Sequence, residues 1–122
     1  MSMKKIYGNG IYDNENAELA TADFVKFAIV QIDSSIKWLS NTNEIAQDVL
    51  ADIDLLLAIT KQNPTCTNLL LEEQKVLAWE SIFNEWFRRV YNKIPSQYRD
   101  NIETDGKNLF KELKKYCNDL QF

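Results

Sequence analysis

The sequence predicts an all-α protein, a compact bundle of four to five helices after a short N-terminal turn segment. Only three glycines and two prolines occur among 122 residues, too few for the many turns of a β-sandwich or barrel. Several long stretches repeat apolar residues at three- and four-residue spacing, which is typical of amphipathic helices. Hydrophobic residues make up 45% of the chain. We therefore expect a sizeable core within a single helical domain over residues 1–122.

The first predicted helix follows the turn Gly8-Asn9-Gly10. Asp13 or Asn14 can cap its N-terminus, because either side chain can accept hydrogen bonds from the unpaired backbone N–H groups of the first turn. Its inward face is predicted from the helical spacing of these apolar residues: Ala17, Ala20, Phe24, Phe27, Ala28, Ile32, Ile36 and Leu39.

A second helix is predicted to begin near Asn41, with Glu44 as the reciprocal partner of a capping box. It should end before Asn63-Pro64, because proline disfavours helical geometry in the residue that precedes it. Its predicted buried arc consists of Ile45, Ala46, Val49, Leu50, Ile53, Leu56 and Leu57.

The third helix is predicted over residues 70–94, ending before Pro95. Large aromatic residues on one helix are expected at the centre of a core. The inward seam is Val76, Trp79, Ile82, Phe83, Trp86, Phe87 and Val90.

Beyond Pro95 the pattern predicts a short helix over 96–102, capped by Ser96, and a last helix over 104–120. The inward residues of the last helix are predicted to be Leu109, Phe110, Leu113, Tyr116, Cys117 and Leu120.

The chemistry that most enzymes use is missing from the composition. The chain contains no histidine, so the usual proton-transfer group and the Ser/His and Cys/His nucleophile pairs are absent. Cys117 falls on an apolar stripe and Cys66 in a loop, and two cysteines without histidine do not make a standard zinc site. Gly8-Asn9-Gly10 is too short for a phosphate-binding loop. We predict no catalytic residue, no cofactor and no metal site.

Charge and hydropathy limit the classes of partner that this chain is expected to bind. The net charge is −4, and the first 60 residues contain nine acidic residues but only four lysines. This balance argues against nucleic acid, which is bound through basic surfaces. Lys107, Lys111 and Lys114 form a basic strip, with Lys115 nearby, but no aromatic residue interleaves with them to stack on bases. No signal peptide or membrane-length apolar run is present, so we expect a cytoplasmic protein without membrane contact.

One acidic face is a candidate for protein binding. Glu44, Asp48 and Asp52 recur every four residues, and Leu55 and Ile59 project from the same predicted face. The face is either a solvated surface, a groove where Leu55 and Ile59 meet another helix, or a docking patch of apolar anchors ringed by acids. The candidate partner-binding residues are Glu44, Asp48, Asp52, Asp54, Leu55 and Ile59.

Residues 7–17, with the sequence YGNGIYDNENA, resemble the opening of a bacterial family of uncharacterised small proteins. Members of that family begin Trp-Gly-x-Gly-x-Phe-x-Asn-Asp-x-Ala and continue into an Ala-rich helix. Gly8, Gly10, Asn14 and Ala17 stand at matching positions, whereas tyrosines replace the two aromatic residues and a glutamate the aspartate. The resemblance implies a helical fold and supplies no catalytic residues. The same residues also suit a tight turn followed by a helix cap.

Size, acidity and predicted architecture resemble bacterial immunity proteins, which bind a cognate toxin and block its active site. This resemblance favours a protein-binding inhibitor of a basic protein toxin, such as a nuclease. A second hypothesis is a regulatory or scaffolding helical module, a homodimer that buries Leu55 and Ile59 against its own copy. A third, less favoured, is a hydrolase that uses paired carboxylates.

Overall fold

The computed structural model describes Ile6, Gly8, Ile11 and residues 15–46, 48–62 and 71–117. These residues form four α-helices: α1 (Glu15–Asn41), α2 (Asp48–Gln62), α3 (Glu73–Val90) and α4 (Ser96–Lys115). A 3-10 turn, Tyr91–Lys93, connects α3 to α4. The predicted all-α bundle is therefore confirmed, and α2 ends before Asn63-Pro64 as its sequence predicts.

The four helices enclose one core. Helix α1 packs against α2 and α3, and α4 packs against the same two helices. The predicted aromatic seam of α3 lies at the centre, where Phe83 is tilted against Trp86 and Phe110 with ring centroids 5.5 and 5.7 Å away. Trp79 and Trp86 are also almost fully buried. Burial of these large rings supplies much of the apolar area that stabilises the bundle.

Helix α4 is continuous, so the prediction of two helices over 96–102 and 104–120 is wrong. Pro95, and not Ser96, is the N-cap residue of this helix, with φ −53° and ψ 135°. Gly106 lies inside the helix and is buried. A Cβ at this position would be 2.6 Å from Cε1 of Phe83. Its missing side chain thus lets α4 approach the central aromatic cluster.

The predicted inward face of α1 is partly wrong. Ile32, Ile36 and Leu39 are buried as predicted, but Phe24 and Phe27 point outward with 64% and 68% of their surface exposed. Ala20 is exposed too, and Ala17 and Ala28 are only partly buried. A second apolar stripe, rich in β-branched residues, takes the core side. The buried residues of α1 are Thr21, Val25, Ile29, Ile32, Ile36 and Leu39.

The predicted start of α2 at Asn41, with Glu44 as capping partner, is also wrong. Asn41 is the last residue of α1, and α2 begins only at Asp48. Arg89 of α3 explains the interruption, because its Nη2 donates hydrogen bonds to the carbonyls of Leu39 at 2.6 Å and Thr42 at 3.1 Å. A guanidinium at carbonyls that have no partner within the helix stabilises a helix C-terminus.

The other boundary differences are small. Helix α3 covers Glu73–Val90 rather than 70–94, and the 3-10 turn takes up three of the four residues at 91–94. Ile45 is exposed on the connection before α2, and Ala46 is partly buried there. The predicted caps Asp13 and Asn14 and the predicted core residue Leu120 lie outside the described residues.

Candidate functional site

The helical ladder of Glu44, Asp48 and Asp52 does not form. Glu44 lies in the connection between α1 and α2, where its N–H donates to Oγ1 of Thr42 and its carbonyl accepts from Nε1 of Trp86 at 2.9 Å. These contacts hold the backbone away from helical geometry, so Glu44 is not one turn before Asp48. Its side chain is exposed and still adds negative charge near the start of α2.

Asp48 and Asp52 occupy different environments. Asp48 is exposed in the first turn of α2, where the positive end of the helix dipole favours a carboxylate. Asp52 is partly buried and accepts a hydrogen bond at 3.2 Å from the hydroxyl of Ser35 on α1. One acid is thus available to a partner, whereas the other also joins the two helices.

Leu55 and Ile59 lie in a groove between α1 and α2. The aromatic groove, as we call it, encloses about 310 Å³ and is lined chiefly by Phe24 and Phe27 of α1 and by Asp52, Leu55 and Ile59 of α2. Leu55 is 62% exposed, whereas Ile59 is partly buried and packs on the core. Leu55 and Ile59 thus line a groove between two helices, and Leu55 stays accessible from solvent.

Asp54 lies on the opposite side of α2. It faces α4 and lines a shallow depression together with Asp105 and Asn108. The structure therefore does not bring together all six candidate residues. Asp52, Leu55 and Ile59 share the aromatic groove, Asp48 lies on the same helix nearer its start, and Asp54 and Glu44 lie elsewhere.

Sequence reasoning missed Phe24 and Phe27 as surface residues of this groove. Together with Asp23, the two rings also line a second depression on the outer side of α1. The signal that distinguishes them is a competing stripe of β-branched residues at the same spacing on α1. A helix with two apolar stripes has one more than its own core can bury.

The basic strip of α4 is largely paired with acidic residues. Lys114 contacts Glu80 of α3 at 2.7 Å, and Lys115 contacts Glu112 at 2.9 Å. The hydrogen bond from Lys115 holds the pKa of Glu112 below its ordinary value. Lys107 lies 3.9 Å from Glu103. These pairs largely balance the positive charge of the strip.

Within the described ranges, no three His, Cys, Asp or Glu side chains are grouped closely enough to hold a metal ion. No helix in the described part of the chain combines the length and the apolar character needed to cross a bilayer.

The chain was compared with protein families, curated proteins and solved structures, and no family, curated protein or structure matched it. The resemblance of residues 7–17 to an uncharacterised bacterial family thus stays a sequence-based expectation, and most of those residues lie outside the described part of the chain.

Proposed function

We propose that this protein acts by binding another protein, as an immunity protein that neutralises a basic toxin domain, such as a nuclease, in the cytoplasm. The observation that carries the proposal is the aromatic groove, where Phe24, Phe27 and Leu55 each expose more than three-fifths of their surface. Large apolar side chains that are exposed and clustered are characteristic of protein-binding surfaces.

The charges around the groove favour a basic partner. Asp23 lies beside Phe24 and Phe27, Asp52 lines the groove itself, and Asp48 is exposed on the same helix as Asp52. The chain as a whole carries a net charge of −4. Acidic groups around apolar anchors speed the approach of a cationic protein, and burial of the anchors then slows its dissociation.

The proposed mechanism is occlusion. Asp54 and Asp105 extend the negative surface across the α2–α4 side of the bundle. Carboxylates presented on a rigid helical surface can take the place of the phosphates that a nuclease cleft binds, and the bundle would then block access to that cleft. A role in binding rather than catalysis also fits a chain without histidine.

The first experiment asks whether a neighbouring gene encodes a toxin-like domain, and then tests that domain with this chain by co-purification, calorimetry and a growth-rescue assay. A tight 1:1 complex that restores growth would support the immunity role. The absence of both binding and rescue would remove that role.

Charge variants test the proposed surface. The double variant Asp48→Lys/Asp54→Lys should slow association about tenfold at low salt, because both acids are exposed and contribute to steering. Asp52 is left intact because it bonds Ser35. The matched control is the double variant Glu85→Lys/Asp100→Lys, which reverses two exposed acids, one on α3 and one on α4. Equal association rates for the two double variants would contradict the surface.

A homodimeric regulatory or scaffolding module is the second candidate. The observation that favours it is a run of exposed residues along the outer face of α1, which has the spacing of a helix–helix contact.

A further inference from the structure

The outer face of α1 carries a second helix-packing stripe, which we call the α1 seam. Its members are all exposed and follow one another at alternating four- and three-residue spacing, the spacing through which two helices interlock side chains. They are Ala20, Phe24, Phe27, Gln31, Ser34 and Trp38. Trp38 is 54% exposed, so large apolar surface lies toward both ends of the helix.

We propose that the α1 seam binds the same seam of a second copy of this chain, with the two α1 helices antiparallel. The first argument is charge. Asp23, Val30 and Lys37 follow at seven-residue intervals along the solvent-exposed edge of the seam. In an antiparallel pair this edge meets its own counterpart in reverse order, so Asp23 faces the partner's Lys37 at each end and Val30 faces the partner's Val30 at the centre.

The opposite edge of the seam is covered by the protein itself. Ala28 lines the aromatic groove, and Ser35 bonds Asp52 of α2 at 3.2 Å. Parallel helices would set the charged edge of one copy against this covered edge of the other. The exposed charges and the packing of α2 therefore both favour the antiparallel arrangement.

Side-chain sizes fit the same register. When Asp23 faces the partner's Lys37, each large seam residue faces a smaller one in the second copy. Trp38 is opposite Ala20, Phe24 opposite Ser34, and Phe27 opposite Gln31. Alternation of large and small residues across an interface lets the two helices interdigitate.

This register also uses almost the whole helix. Along the helix, its two-fold axis is level with Ile29 and Val30, close to the middle of the 27-residue α1. The two helices then overlap for roughly 35–40 Å at about 1.5 Å per residue. A register shifted by seven residues would set Phe27 against Trp38 and lose the Asp23 pairing.

The exposed rings supply a substantial part of the area that a reversible dimer needs. Phe24, Phe27 and Trp38 each expose more than half of their surface. With aromatic side chains burying about 150–250 Å² each, the three rings contribute roughly 300 Å² per copy. The exposed Val30 and Leu55 and the smaller seam residues add to this, toward the ~800 Å² per partner of a standard interface. Two-fold dimers are also the commonest soluble oligomers.

The dimer goes beyond the proposed toxin binding. Asp48 and Asp54 lie on α2, outside the α1 seam, so their substitution should leave self-association unchanged. Phe24 and Phe27 belong to both surfaces, and a toxin docked in the aromatic groove would therefore displace the second copy. Because self-association is measured on the isolated chain, failure of the dimer and failure of toxin binding are separate results.

The test is sedimentation equilibrium of the intact chain from micromolar to millimolar concentration. We expect a monomer–dimer equilibrium, and Phe27→Asp should abolish it. Asp23→Lys or Lys37→Asp alone should weaken the dimer about tenfold, because each dimer contains two copies of the pair. The double variant Asp23→Lys/Lys37→Asp restores opposite charges and should return the affinity to within about threefold of the original.

The matched control is Lys26→Asp, which changes the charge of α1 as Lys37→Asp does but lies outside the seam and its charged edge. It should leave the dimer unchanged. Helicity by circular dichroism checks that each variant is folded, which the exposure of all four positions leads us to expect. A monomer at every concentration, a dimer insensitive to Phe27→Asp, or a double variant as weak as the single ones would each overturn the proposal.

Discussion

Helices α1 and α3 pack against each other but use their aromatic residues in opposite ways. In α3 the rings of Trp79, Phe83 and Trp86 are buried at the centre of the bundle. In α1 the rings of Phe24 and Phe27 are exposed, and β-branched residues take the core positions. Ring size therefore does not decide which side of an amphipathic helix is buried. That depends on which stripe the neighbouring helices can cover.

Truncation of one ring on each helix should give the largest contrast. Phe83→Ala removes a ring that contacts Trp86 and Phe110, and we expect it to lower the free energy of unfolding by about 3–5 kcal/mol. Phe27→Ala removes an exposed ring and should change it by about 0.5 kcal/mol or less. Urea denaturation of each variant, at a concentration where the chain is monomeric, measures both effects. Similar losses of unfolding free energy at the two positions would contradict the contrast between a buried ring on α3 and an exposed ring on α1.

A second prediction concerns the space around Phe83. Alanine normally stabilises a helix relative to glycine by about 1 kcal/mol. In Gly106→Ala, however, the new Cβ would be 2.6 Å from a ring that also packs against Trp86 and Phe110. We expect a net loss of about 1–3 kcal/mol from overpacking.

The matched control for Gly106→Ala is Ser81→Ala, at an exposed position of α3. It should be neutral or slightly stabilising, as helix propensity predicts. A stabilised Gly106→Ala variant would show that the aromatic cluster of α3 can shift to admit the new Cβ.

The fold class was predictable from sequence because long apolar periodicity and few turn residues leave little alternative to helices. The seam of α3 was predictable for the same reason, since that helix has only one apolar stripe. Two features were not. Helix α1 has two stripes at one spacing, and only contacts with α2 and α3 select between them. The end of α1 depends on Arg89, which is far away in the sequence but adjacent in space.

The candidate site was predictable in part for related reasons. Leu55 and Ile59 were recognised because apolar residues next to acids on one helix face are visible in the sequence alone. The groove that contains them needs Phe24 and Phe27 from α1, which sequence analysis had assigned to the core. Glu44 was placed on the wrong element, because the contacts of its backbone with Thr42 and Trp86 are not encoded in local helix propensity.

Arg89 provides a third prediction, on how α3 holds the end of α1. Arg89→Gln removes the charged donor that reaches the carbonyls of Leu39 and Thr42. We expect a loss of about 1.5–3 kcal/mol in the free energy of unfolding, the range for hydrogen bonds that involve a charged group. Arg88→Gln is the matched control, because Arg88 is exposed and pairs only with nearby Glu85 among the contacts described. Equal effects of Arg88→Gln and Arg89→Gln would mean that α1 ends at Asn41 for another reason.

The smallest expected effect on stability concerns a polar contact between α1 and α3. Asp33 of α1 accepts a hydrogen bond at 2.8 Å from Nε1 of Trp79 and lies 3.5 Å from the Lys75 ammonium. The Trp79 hydrogen bond, with help from Lys75, holds the pKa of Asp33 below its ordinary value of 3.8. A carboxyl group whose pKa is lowered by folding stabilises the protein above its unfolded pKa, and this contribution is lost as the pH falls through the folded pKa.

Asp33→Asn should therefore reduce stability at neutral pH by about 1 kcal/mol or less, since the group is partly exposed. The difference from the original chain should shrink as the pH falls below about 4. Urea denaturation at pH 7 and at pH 3 measures it. Trp79→Phe, which keeps a ring but removes the donor, should reduce the same pH dependence. If the difference were equal at both pH values, the Asp33 carboxylate would not stabilise the α1–α3 contact through its charge.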